Sequence, residues 1–386
     1  MTIYQHRTAL ESTILPSFEN WKACLEGSVS GYTYEIPLYT DASIRFHGGT
    51  QTGPYQFIQV VPVNACEEPF RTIVILRVDV HIKLEGHEWI ADLEKTDDTA
   101  YHGGDLNDEI AALLSLVHGI RLMPGSITRE FSSGADPRGI PSISSSIPFL
   151  GVRHYDSVIP RLQRTLEARG LPEPFQTFPT LNKKDAVALV KAARLYQQAV
   201  WHADADPNQA WLMLVSALET AADHWWQKDA TPPEILEDGN RELYELLVKE
   251  GGLELATKVA PLLKQLLGAS KKFREFVLRF LPGPPERRPG AMGRFAFEEP
   301  AKLKEALQKI YTYRSQALHG GKPFPLPMCH SASRYGGDEE LSETPTGLAT
   351  GTLGSSWKHE DTPMVLHTFE HIVRTSLIAW WQSMVK

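Results

Sequence analysis

The chain is short of cysteine, of long apolar runs and of positive charge, and each shortage removes a class of protein. Its 386 residues hold three cysteines, Cys24, Cys66 and Cys329, too few and too scattered for a disulfide framework or a four-thiolate zinc site. A reducing cytoplasm is the expected setting. No apolar stretch approaches the roughly 20 residues that span a bilayer, so no membrane partner is expected. Residues 1–15 alternate polar with apolar and lack the basic-then-apolar order of a secretory leader. With 39 Lys and Arg against 47 Asp and Glu, the formal charge is −8, unlike a protein that coats nucleic acid. The acidity is confined to the front. Residues 1–125 carry 8 basic and 17 acidic side chains, residues 126–182 carry 6 and 5, and residues 183–386 carry 25 of each. A phosphate backbone is therefore repelled by the front and tolerated by the back.

Patterning divides the chain the same way. Residues 31–38, 42–47, 55–61 and 72–84 are short runs rich in β-branched and aromatic residues, bounded by turn formers, and read as strands. In the last run Val78, Val80 and Ile82 alternate with Arg77, Asp79 and His81, which suits one buried and one wet face. Residues 106–120 follow as a helix, with Asn107 and Asp108 as caps and Ile110, Leu113, Leu114 and Val117 at helical spacing. Residues 126–182, rich in Pro and Ser, read as a connector broken by one helix near 158–169. From residue 183 the signal is helical, at 185–201, 207–226, 241–251, 253–268, 270–281, 299–319 and 364–385. A Pro/Gly/Arg-rich break covers 282–294, and a Gly/Ser/Pro loop at 322–362 reads equally as a lid, a swapped arm or a disordered segment. The expected class is α+β: a β-rich domain at 1–125, the connector at 126–182 and an all-α domain at 183–386.

One stretch has chemical character. Tyr311-Thr312-Tyr313-Arg314-Ser315-Gln316-Ala317-Leu318-His319-Gly320-Gly321 sets an Arg and a His with four residues between them at a helix C-terminus, closed by a Gly pair suited to a left-handed cap. A chain with 21 Arg and 14 His yields that spacing by chance about once. By itself the pattern reads as a His on the helix carbonyls beside a solvated Arg.

The surrounding residues add weight. The pair YQQAVW (196–201) and AWLMLVSALETAAD (210–223), the stretch YRSQALHGGKPFP (313–325) and the closing LHTFEHIVRTSLIAWW (366–381) together resemble the HEPN superfamily, and within it the Apea-like group. That resemblance implies an all-α HEPN-type bundle over 183–386. It implies a metal-independent endoribonuclease acting as a homodimer on RNA, in prokaryotic anti-phage defence or as a stress-response toxin. His319 would be general acid or base, Arg314 the ligand of the scissile phosphate and Ser315 the polar residue after the Arg, with a 2′,3′-cyclic phosphate as product. No cofactor or metal is implied. The alternative within the family is a module without catalysis, used for dimerisation or scaffolding. His319 is followed by Gly320 and Gly321 rather than by the Tyr that receives a nucleotide in HEPN toxins paired with nucleotidyltransferases, so that control does not carry over. The front domain resembles no family and is expected to sense a regulatory protein or ligand.

Physical chemistry fits those roles. Attack by a 2′-OH needs a proton acceptor near neutrality, which imidazole supplies, and a guanidinium fork matches phosphoryl oxygens. Residues five apart on a helix point about 140° from each other, so a frayed helix end or a second protomer must complete the site. Glu219 and Tyr313 are supporting candidates, Glu219 either orienting Arg314 or His319 or serving only as a buried ion-pair partner. Lys271, Lys272, Arg274, Arg279, Arg287, Arg288 and Arg294 either line an RNA approach or form a solvated face. The pairs Trp225/Trp226 and Trp380/Trp381 suit base stacking or core packing. Cys329, His330, His359, His367 and His371 match no zinc spacing, and His81, His87 and Glu88 match no metalloprotease pattern.

Overall fold

The computed structural model describes residues 15–46, 50–61, 69–82, 96, 98–132, 136–142, 146–151, 156–168, 172–226, 231–281, 283–290, 293–334, 340–346 and 355–385. It is mixed, 53% helical with an antiparallel sheet, which is the α+β class. Its contacts form two compact units. One holds the described residues of Met1–Val152, Arg161–Trp201 and Trp381–Lys386; the other holds those of Arg153–Pro160 and His202–Trp380.

The first unit is built on strands β1 (Tyr32–Thr40), β2 (Ser43–Phe46), β3 (Thr50–Thr52), β4 (Tyr55–Val61) and β5 (Thr72–Val80). The sheet runs β3-β4-β5-β1-β7-β8, where β7 is Arg129–Ser132 and β8 is Ile140–Pro141, and a short β6 (Met123–Pro124) also pairs with β1. Tyr34, Ile36 and Leu38 face Val78, Leu76 and Val74 in antiparallel register, so the period-2 pattern places six apolar side chains on one buried face. Helix α2 (Leu106–His118) covers that face, with Leu114 beside Leu38 and Val74. Its N-cap is Asp105, closed by a capping box with Asp108, one residue before the helix and not Asn107 or Asp108 as read from sequence. The strand expected at 72–84 ends at Val80, and residues 83 and 84 lie outside the described residues, as does His47 at the end of the second expected strand.

Three features differ from the sequence reading. Helix α1 (Pro16–Leu25) was not expected; its Trp21 packs edge-on against Tyr55. The stretch read as a connector supplies β7 and β8 to the sheet. The helix expected near 158–169 is a 3₁₀ turn at Pro160–Gln163 followed by strand β9 (Thr165–Ala168). There β9 pairs in parallel with β2, and tertiary pairing overrides local propensity. After α3 (Glu173–Gln176), helix α4 (Lys183–His202) belongs to this unit through Trp201. Arg121 Nε donates to Val200 O, Gln197 Nε2 to Leu122 O and Arg194 Nη1 to Asp108, which explains why this helix groups with the sheet.

The second unit holds α5 (Pro207–Trp225), α6 (Pro232–Gly239), α7 (Arg241–Phe280), α8 (Pro300–Gly320) and most of α9 (Leu366–Met384). The three helices expected between 241 and 281 form one 40-residue helix broken once, at Gly252 (φ 69°, ψ −179°). Trp211 anchors the core, stacked between Phe324 and Phe369 at 5.1 and 4.7 Å. Much of the described part of the loop at 322–362 is packed, with Phe324, Met328, Cys329 and Leu341 buried.

Candidate functional site

Helix α8 starts at Pro300, whose missing N–H costs nothing in the first turn. It buries Leu303, Ala306, Leu307 and Ile310. It ends as the sequence suggests, with Gly321 left-handed (φ 62°) and the N–H groups of Gly321 and Lys322 on Gln316 O. The helix stays regular through Gly320, so fraying does not bring Arg314 and His319 together, and the two leave the axis about 140° apart.

Arg314 faces α5. Its Nη2 donates to Glu219 Oε2 at 2.7 Å, and the pair is mostly covered, with side-chain exposures of 21% and 16%. Tyr311, one turn earlier on the same face, donates its hydroxyl to Glu219 Oε1 at 2.9 Å and lies under the guanidinium, 5.7 Å from its ring centre. Burial, the Glu219 charge and that hydrogen bond push the Tyr311 phenol well above its usual range, against a smaller opposing pull from Arg314. It therefore stays a neutral donor. Arg314 Nε is buried with no hydrogen-bond partner. Tyr311 is the member that sequence reasoning missed; its signal was the three-residue step to Arg314, which puts both on one helix face.

The remaining candidates divide. Tyr313 turns away from Glu219 and donates to Asp361 O at 2.7 Å, its phenol raised by burial and then by Asp361. Ser315 is half-buried and His319 is exposed. Of the basic residues, Lys272 pairs with Asp223 at 2.7 Å, and Arg274 bonds Ser270 Oγ and Gln308. Arg279 lies over Phe280, and Arg294 donates to Pro289 O. Lys271 is half-buried and Arg287 is exposed. Arg288 bonds Glu343 through Nε and Nη2 and Glu298 through Nη1. Trp380 and Trp381 are buried, and the half-buried Trp225 packs edge-on against Phe276 and Phe280.

Cys329 is buried with its thiol 3.7 Å from Asn208 Oδ1, and His371 Nε2 lies 3.2 Å from Gly283 O. Among the described residues no three His, Cys, Asp or Glu side chains are grouped to hold a metal ion; Cys66, His87 and Glu88 lie outside them. No helix of the described residues is long and apolar enough to cross a membrane. The arrangement can therefore offer an anion one guanidinium, and offer a proton one exposed imidazole, from the same helix end. Comparison of the chain with protein-family models, curated proteins and solved structures gave no match in any of the three.

Proposed function

We propose that this protein is an endoribonuclease of the HEPN type, working as a homodimer on RNA without a metal. The observation that carries the reading is one regular helix end bearing an exposed His319 and a guanidinium, Arg314, whose Nε has no hydrogen-bond partner. In the reaction the ribose 2′-OH attacks the adjacent phosphorus and the P–O5′ bond breaks. The 2′-OH proton leaves to a base, and the 5′-oxygen takes one from an acid; His319 fills one of these roles. Arg314 neutralises the charge that gathers on the phosphoryl oxygens. Since the two side chains diverge on one helix, Arg314 and His319 at one scissile bond come from facing protomers.

The test is cleavage of total cellular RNA and of transfer RNA in EDTA by the wild type and by Arg314→Ala/His319→Ala. Loss of cleavage in the variant, with 2′,3′-cyclic ends from the wild type, is the expected result. Equal cleavage by both removes the assignment. A second reading, a HEPN module without catalysis that binds a protein or small molecule, is favoured by the covered state of Arg314 against Glu219. It requires that no RNA is cut and that Arg314→Ala alters assembly or stability.

A further inference from the structure

The group assigned to the scissile phosphate already holds an anion. Glu219 Oε2 lies 2.7 Å from Arg314 Nη2, and the Tyr311 hydroxyl secures the other carboxylate oxygen at 2.9 Å. The neighbouring donor on the same edge of the guanidinium, Nε, is buried and has no hydrogen-bond partner. Elsewhere in the same unit the edge is used in full: Arg288 gives both Nε and Nη2 to Glu343, each at 2.8 Å. A phosphodiester seeking the two-point geometry of a guanidinium edge finds at Arg314 one donor, Nη2, held by a carboxylate and the other, Nε, buried and unpartnered. Two anions on one edge repel, and in this half-covered place solvent and salt screen them weakly.

We propose that Glu219 is a carboxylate lock: it occupies the phosphate position on Arg314, is latched there by Tyr311, and turns away when RNA binds. The inference rests on the reading of Arg314 as a phosphate ligand. It opposes a purely positioning role, in which neutralising Glu219 would loosen Arg314 and weaken binding.

Binding is measured by fluorescence anisotropy with a labelled single-stranded 2′-O-methyl oligoribonucleotide, which has no 2′-OH to attack. The full chain is compared as wild type, Glu219→Gln, Tyr311→Phe, Arg314→Ala and Glu219→Gln/Arg314→Ala, with thermal melting as the check on folding. Glu219→Gln is expected to bind about tenfold tighter, ~1.4 kcal/mol. Tyr311→Phe, which only unlatches the carboxylate, gains less, and the double variant gains nothing over Arg314→Ala. With unmodified RNA the KM of Glu219→Gln is expected to fall by a similar factor. Equal or weaker binding by Glu219→Gln overturns the lock. So does a gain that survives loss of Arg314, and so does absence of binding in every variant. The two readings fail separately. Cleavage that needs Arg314 and His319, with no gain in Glu219→Gln, removes the lock and keeps the nuclease. An Arg314-dependent gain without any cleavage keeps the lock and removes the nuclease.

Discussion

Arg288 and Arg314 are both paired with a glutamate in the same compact unit, yet one pair is closed and the other is open. Arg288 spends Nε and Nη2 on Glu343, Nη1 on Glu298 and a further Nη2 bond on Phe295 O, and it lies over the Phe297 ring. Glu343 in turn accepts from Phe295 N and is 1% exposed. Arg314 makes one bond to its carboxylate, keeps Nε unpartnered and is twice as exposed, at 21% against 10%. The same residue types therefore do different work according to how completely they are satisfied. A saturated, buried fork cannot exchange its carboxylate for a ligand, whereas a half-used one can.

Removing the arginine from each pair tests that contrast most severely. Arg288→Ala is expected to cost about 3–5 kcal/mol, because it strands a buried Glu343, read as a shift in the chemical unfolding transition. Arg288→Met with Glu343→Leu should recover most of the loss, since apolar replacement of a whole buried pair is near neutral. A cost below about 1 kcal/mol for Arg288→Ala alone would erase the distinction between the two regions.

These regions are unequally legible in the sequence. The alternating pattern of Thr72–Val80 and the apolar spacing of Leu106–His118 carry their own burial, so the sheet and its covering helix were legible. Strand β9 was not. Its four residues owe their conformation to β2, more than 100 residues earlier, and no local signal encodes such pairing. Arg314 and His319 were legible as a motif, but the Arg314–Glu219 bond spans 95 residues and the sequence left Glu219 with two readings. A charge run does not reveal which members find carboxylates, so the bonds of Arg288 to Glu343 and Glu298 are not legible in it. In α7 the break expected at Gly252 is present and the one expected near Gly268 is not, since glycine lowers helix propensity without forbidding helix. Within α7, Gly252 has the backbone (φ 69°, ψ −179°) that other residues avoid. Gly252→Ala is therefore expected to cost about 1–3 kcal/mol although open space surrounds the new Cβ. A neutral substitution in a melting experiment would mean that α7 straightens, and that this region, unlike the Arg288 clasp, is adaptable.

The open pair should be cheap to break and functionally expensive. Arg314→Ala is expected to cost only about 1 kcal/mol in stability, the scale of partly solvated ion pairs, while cleavage falls at least about 100-fold, the scale for one charge-stabilising donor. A stability loss as large as that of Arg288→Ala would make Arg314 structural and favour the module without catalysis.

The smallest effect is the most diagnostic of the latch. The Tyr311 phenol is raised above its ordinary value of 10 by burial first and by Glu219 second. The folded state therefore holds its proton more tightly than the unfolded chain does. The stability this contributes is fully present below about pH 10 and is lost as pH rises through the higher folded value. Tyr311→Phe should cost a few tenths to about 1 kcal/mol near neutrality, the net worth of one hydrogen bond, and should flatten part of the alkaline fall in melting temperature. Tyr55, fully buried and raised chiefly by desolvation, loses its proton late for the same reason, so alkali acts on both units and only the difference between wild type and Tyr311→Phe isolates the latch. If that difference is flat with pH, the Tyr311 phenol is not raised in the folded state, and neither its burial nor its bond to Glu219 holds its proton.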